Sequence, residues 1–297
     1  MFDLAHGSGH GTRLVQSLLT VLALIFFCSA ATAQETDGAA ELAAQLQDPL
    51  ANLAALMTDN TLGLRTGENN DETYEINLQP VYSIPIEKLD ITLVPRAMIP
   101  FVSVKPGSDL PRLSDDGDET ISPANRDREM GLSDIVTQFF ITPMGQGDVK
   151  WGGGPMVSLR TRTDDDVAGA GWGSGLVGVL VGEIGPIGGA ILGGHLWGFD
   201  GDFSTSFVQP MAYYNFESIP GAYFGYNNTI SFDHKNKGST QDSWTIPLGL
   251  MGGRTFDMGD GHGFDISLGA YHLPSWGRTR GGSEHQIKLG LSWIFPR

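Results

Sequence analysis

The residue types that could carry chemistry are scattered along this chain rather than gathered. His195, His234, His262, His272 and His285 fall on separate segments, and no spacing typical of a metal-ligand set is visible. A serine hydrolase needs a nucleophile and a base within hydrogen-bond reach, and the nearest sequence pairs are His234 with Ser239 and His272 with Ser275. Both pairs sit in loop-like stretches and match no hydrolase pattern, so no catalytic residue follows. Gly173-Ser174-Gly175-Leu176-Val177-Gly178 fits the pattern G-x-G-x-x-G, whose glycines cradle a pyrophosphate only between a strand and a helix. Here it lies inside a strand-like stretch, where glycines thin a sheet instead. No cofactor is expected.

Oxygen ligands are denser. Asp115, Asp116 and Asp118 with Glu119, and the run Asp164, Asp165 and Asp166, could hold Ca²⁺ or Mg²⁺, although neither follows the EF-hand spacing. They read as solvated acidic loops or as cation bridges to lipopolysaccharide. Asp260-Gly261-His262-Gly263 reads as a tight turn.

These groups need a scaffold, and composition narrows it. The chain has 297 residues, 41 of them glycine, and a formal net charge of -16. Such acidity argues against a nucleic-acid partner, since there is no basic patch to neutralise phosphates. Arg13 precedes an apolar run from Leu18 to Phe27, and Ala31-Thr32-Ala33 supplies small residues for signal peptidase, so residues 1–33 are expected to be an export signal. Cys28, the one cysteine, directly follows that run inside the expected signal, which leaves the mature chain without disulfides. Past it, no stretch approaches the roughly 20 continuous apolar residues of a membrane helix.

Leu42, Leu46, Leu50, Leu53 and Met57 follow at helical spacing, interrupted at Asp48-Pro49, where Asp48 could cap a second short helix. Residues 34–58 are therefore expected to form a helical segment, acting either as a plug or as a periplasmic strut. From there to residue 297 the period becomes two. Ile76, Leu78, Pro80, Tyr82 and Ile84 share one face while Glu75, Asn77 and Gln79 share the other, and Ile287, Leu289, Leu291, Trp293 and Phe295 oppose Lys288, Gly290 and Ser292. About 12 such segments alternate between short and long connections, and their aromatic residues collect at segment ends. Phe101, Trp172, Trp197, Phe232 and Trp244 mark the long-loop ends; Tyr82, Trp151, Tyr214, Trp293 and Phe295 mark the short-turn ends.

This rhythm predicts an all-β fold, a closed antiparallel up-and-down transmembrane β-barrel with a short N-terminal helical segment. Closure is required because an open sheet edge in hydrocarbon leaves unpaired backbone groups. The inward register then places Glu75, Asp90, Arg96, Asp134, Gln138, Arg160, Arg254, Asp265 and Lys288 in the lumen, where they could pair across it or select a solute.

Two resemblances add to this reading. The terminal pattern Lys288, Gly290, Trp293 and Phe295 resembles the signal by which the outer-membrane assembly machinery recognises its substrates, with Pro296 and Arg297 as additions. Gln47-Asp48-Pro49-Leu50, Asn77-Leu78-Gln79-Pro80, Gly131-Leu132-Ser133-Asp134, Trp151-Gly152-Gly153-Gly154-Pro155, Trp172-Gly173-Ser174-Gly175, Trp197-Gly198-Phe199-Asp200-Gly201, Gln209-Pro210 and Trp244-Thr245-Ile246-Pro247 occur in an order that resembles the neuromedin U-like outer-membrane proteins. These are related to the transporter family of the meta-cleavage phenol degradation pathway. The resemblance implies a non-enzymatic outer-membrane channel for small, hydrophobic or aromatic solutes; lipid and lipopolysaccharide are the surroundings expected of the barrel and its acidic loops. A non-conducting surface barrel and an outer-membrane lipid hydrolase are the alternatives.

Overall fold

The computed structural model describes residues 36–67, 70–104, 128–164, 167, 169–236, 243–279 and 282–296. The expected export signal, Asp115, Asp116, Asp118, Asp165, Asp166 and Ser239 lie outside these residues.

One helix precedes the strands. α1 (Thr36–Gln47) ends where Pro49 withholds an N–H and restricts the residue before it. Asp48 then folds the chain over in an Asx turn, its Oδ1 accepting from Leu50 N at 2.8 Å. No second helix follows, and Met57 already belongs to β1 (Ala54–Thr66). The expected helical segment is thus shorter than residues 34–58, because the alternation of β1 begins directly after the turn.

The remaining segments are β2 (Asp71–Tyr82), β3 (Ile84–Ile86), β4 (Ile91–Val104), β5 (Glu129–Leu132), β6 (Ile135–Pro143), β7 (Val149–Leu159), β8 (Gly173–Ile184) and β9 (Ile187–Gly198). They continue with β10 (Ser204–Asn215), β11 (Ala222–Asn227), β12 (Ile230–Asp233), β13 (Trp244–Thr245), β14 (Leu248–Gly259), β15 (His262–His272) and β16 (Ser283–Phe295). Four pairs, β2 with β3, β5 with β6, β11 with β12 and β13 with β14, are single strands interrupted by one or two residues, so the wall has twelve strands. Every neighbour is antiparallel. β11 joins β10 on one side and β14 on the other, while β16 joins β1 from Ala54↔Phe295 to Thr66↔Ser283, closing the ring.

The outward face is apolar. Leu176, Leu180, Ile191 and Leu250 are each more than half exposed, a pattern that hydrocarbon but not water accommodates. Aromatic residues cap this band at both ends: Phe101, Trp172 and Trp197 toward the long loops, and Tyr82, Trp151 and Phe295 toward the short turns.

The inside is divided. Over β4 and β6 to β9 the inward side chains Val94, Phe140, Met156, Val177, Val179 and Leu192 pack with Leu50 and Leu53 into a dry core. Gly152 leaves room for this: a Cβ there would come within 2.9 Å of Leu50 Cδ2. Over β1, β2, β10, β11 and β14 to β16 the inward face is polar and encloses space.

Candidate functional site

The space is a cavity of about 420 Å³ running along the polar half of the lumen. Its short-turn end is floored by Ala43, Leu46 and Gln47 of α1 and its far end is reached by Thr245, Asn228 and Gln286. α1 is seated by reciprocal amide hydrogen bonds between Gln47 and Asn215, at 2.9 and 3.1 Å, and the turn after it by the Lys150 Nζ to Asp48 Oδ2 ion pair at 2.7 Å. Ser83 fastens the turn to the wall. Its Oγ donates to Ala51 O at 2.6 Å and accepts from Leu53 N at 3.2 Å, and its own N–H reaches Leu53 O at 3.0 Å. The break between β2 and β3 therefore exists because its backbone pairs with the N-terminal segment.

Of the lumen candidates, Glu75, Arg96, Asp265 and Lys288 line the cavity. Lys288 Nζ pairs with Asp59 Oδ2 at 2.8 Å. Arg96 Nη2 donates to Gln79 Oε1. Asp265 accepts from Tyr223 Oη at 3.0 and 3.1 Å and from Thr255 Oγ1 at 2.9 Å. Asn77 Oδ1, Arg96 Nε and Gln138 Oε1 are buried with no hydrogen-bond partner among the described residues; Asn77 and Arg96 belong to the cavity wall and Gln138 does not. Gln138 sits directly across the ladder from Arg96.

Four candidates lie elsewhere. Asp90 is in the short turn after a 3₁₀ turn over Glu87–Leu89, exposed and at φ 53°. Arg160 follows β7 at the long-loop rim and is exposed. Asp134 is buried at the break between β5 and β6 and organises the adjoining loop, accepting from Thr161 N, Arg162 N and Gly171 N at 3.0, 3.1 and 2.7 Å. Arg254 faces outward, its guanidinium 5.3 Å from the ring centroid of Phe256. It shares the outward parity of Leu248 and Leu250 in a register unbroken from Leu248↔His272 to Asp257↔Gly263, so Thr255 and not Arg254 shares the inward face with Asp265.

Several site residues escaped the sequence reading. Tyr213, Tyr223 and Tyr271 line the cavity beside Met57, Met98 and Met251, giving a polar passage aromatic and thioether flanks. Tyr213 and Tyr223 meet edge to face at 5.6 Å. On the outer wall, Ser206 Oγ lies 2.7 Å from His195 Nδ1 and 2.8 Å from His234 Nε2, and His195 Nε2 lies 3.0 Å from Ser204 Oγ. The ladder produces this cluster, because His195 is the cross-strand partner of Ser206. Gly173 and Gly175 are inward positions where a Cβ would strike Trp197 O and His195 O, so that motif packs strands closely.

The fold is similar to that of a COG4313 outer membrane channel from Pseudomonas putida F1, with a TM-score of 0.57, 12% identity, and coverage of 90% of this chain and 100% of that one. Lower similarity is found to the CymD monoaromatic hydrocarbon channel, at TM-score 0.42 and 12% identity over 91% and 94% of the two chains. Outer membrane phospholipase A from Escherichia coli matches at 0.41 and 10% over 93% and 97%. No protein-family model and no curated protein matches the chain, so the neuromedin U-like resemblance finds no family-level counterpart. The likeness rests on architecture, and it establishes the chain as a closed twelve-stranded β-barrel of the outer-membrane kind.

Proposed function

We propose that this chain is an outer-membrane channel that passes small hydrophobic or aromatic solutes through the polar half of its lumen. The observation that carries the reading is the cavity of about 420 Å³, which runs from α1 to the long-loop end between three tyrosines and three methionines. Aromatic rings and soft thioethers attract flat apolar solutes, and polar side chains of the cavity wall such as Gln209, Asn228 and Thr229 replace hydration along the way. The solute class agrees with the resemblance to the phenol-pathway transporters, and passage through a lumen agrees with the channel role named for the Pseudomonas putida protein. Passage down a gradient needs no cofactor. Proteoliposomes carrying the protein should admit phenol-sized solutes faster than protein-free liposomes; equal rates would remove the solute claim.

The reading includes export by residues 1–33, the outer membrane as destination, and the terminal strand with Lys288, Gly290, Trp293 and Phe295 as the feature read by the assembly machinery. Lipopolysaccharide is the proposed neighbour, bridged by Ca²⁺ or Mg²⁺ at the acidic loops, of which Asp164 is exposed.

A second reading, acyl-ester hydrolysis at the outer wall, is favoured by one observation. Ser206, His195 and Ser204 stand as nucleophile, base and orienting hydroxyl would. Oxyanion stabilisation counts against it, because the backbone at Ser206 is paired to strands on both sides and aims no convergent N–H pair outward. Purified protein should release no fatty acid from phospholipid micelles; release abolished by Ser206→Ala would establish the hydrolase.

A further inference from the structure

His272 and His285 are 13 residues apart in sequence but directly opposed across the last hairpin, where β15 ends and β16 begins. Each flanks an inward residue, Tyr271 and Gln286 respectively, so both imidazoles stand on the outward wall at the long-loop rim. Their Nδ1 atoms are 3.4 Å apart. That is longer than a good hydrogen bond, and it matches the separation of about 3.3–3.4 Å between two ligands each roughly 2.0–2.1 Å from a tetrahedral zinc. Glu284 adds the third element: its Oε1 is 3.4 Å from His285 Nε2, the nitrogen that points away from His272. Arg65 and Arg278 hold the other oxygen of that carboxylate at 3.5 and 4.0 Å. Ligand atoms from His272, Glu284 and His285 all lie within 4.8 Å of one another.

We propose that His272 and His285 form a transition-metal site on the outer rim of the barrel. They bind a borderline divalent cation such as Zn²⁺ through their paired Nδ1 atoms, with Glu284 orienting His285 from its second nitrogen. Imidazole pairs favour zinc and its neighbours over Ca²⁺ and Mg²⁺, which take oxygen ligands, so this site is chemically distinct from the acidic loops. A carboxylate on the far nitrogen of a ligating histidine fixes its tautomer and raises its basicity. The other close histidine pair, His195 and His234, has no such opening, because its facing nitrogens already hold Ser206 between them. A metal held by both residues would staple β15 to β16, the strand that closes the ring against β1.

The test is calorimetric titration of Zn²⁺ into tag-free, chelator-stripped, folded protein in detergent. Wild-type protein should bind one equivalent with micromolar affinity, His272→Ala and His285→Ala should each weaken binding by about tenfold or more, and Glu284→Gln should weaken it by roughly 10–100-fold. His262→Ala, at the opposite end of β15, should leave affinity unchanged, and heat-modified gel mobility should show every variant folded. Absence of saturable Zn²⁺ binding in the wild type, or wild-type affinity in both alanine variants, would overturn the site.

Discussion

At the scale of single residues, parity along a strand decides what a side chain meets. Leu192 and Ile191 are adjacent on β9, yet Leu192 is 1% exposed inside the dry core and Ile191 is 57% exposed toward lipid. Leu192→Ala should cost about 2–5 kcal/mol in urea unfolding of the lipid-refolded protein, because the core keeps the cavity. Ile191→Ala should cost clearly less, since lipid chains refill the gap; equal costs would contradict the assigned faces. In the lumen, Lys288 neutralises Asp59 beside Glu75 and Asp265. Lys288→Ala should shift the reversal potential under a salt gradient toward cation selectivity, and an unchanged potential would mean that ions avoid this half of the lumen. Alternation in the sequence sufficed to place Glu75, Arg96, Asp265 and Lys288, which sit in uninterrupted ladders. It misplaced Arg254 because Gly249, Gly252 and Gly253 leave the alternation of β14 few side chains to read, and it misplaced Asp90 because a 3₁₀ turn looks like a strand start. The His272 and His285 pair was in principle legible: the two lie symmetrically about the last loop, and only the ladder register was needed to join them.

At the scale of elements, the N-terminal segment is the piece whose role the sequence left open. Its helical spacing and the stop at Pro49 were legible, but nothing local says whether an apolar helix enters a barrel or hangs below it. Its destination depends on distant partners, Asn215 for Gln47, Ser83 for the backbone at Ala51 and Leu53, and the space above Gly152 for Leu50. Ser83→Ala removes a buried hydroxyl bonded on both sides and should cost about 1–3 kcal/mol. The loss should fall on the N-terminal segment, as faster amide exchange around Leu53 with the wall of β8 and β9 unaffected. Uniform exchange across the molecule would contradict a local anchor. The interior of β8 and β9 was illegible for another reason: Leu176 and Leu180 point out while Val177 and Val179 point in, so both faces read as apolar.

At the scale of the whole molecule, twelve strands enclose more room than side chains alone fill and less than an open pore needs. The chain spends one half of that room on a packed core and keeps the other as a polar passage floored by α1. The apolar outer wall demands a lipid or detergent surround; the folded protein should aggregate on detergent removal, and a monodisperse folded state in plain buffer would contradict the barrel's orientation. Strand number, closure and girdles were legible because they follow from backbone satisfaction in hydrocarbon, which acts on every residue alike. The off-centre passage was not, because it depends on which inward residues happen to meet.

The most direct test of the channel is single-channel conductance in planar bilayers, comparing the full chain with a variant lacking residues 36–52, which leaves β1 intact from Ala54. Small steps in the full chain and steps several-fold larger in the deletion are predicted, because α1 floors the cavity. Absence of conductance in both folded proteins would contradict a channel and favour a purely structural barrel.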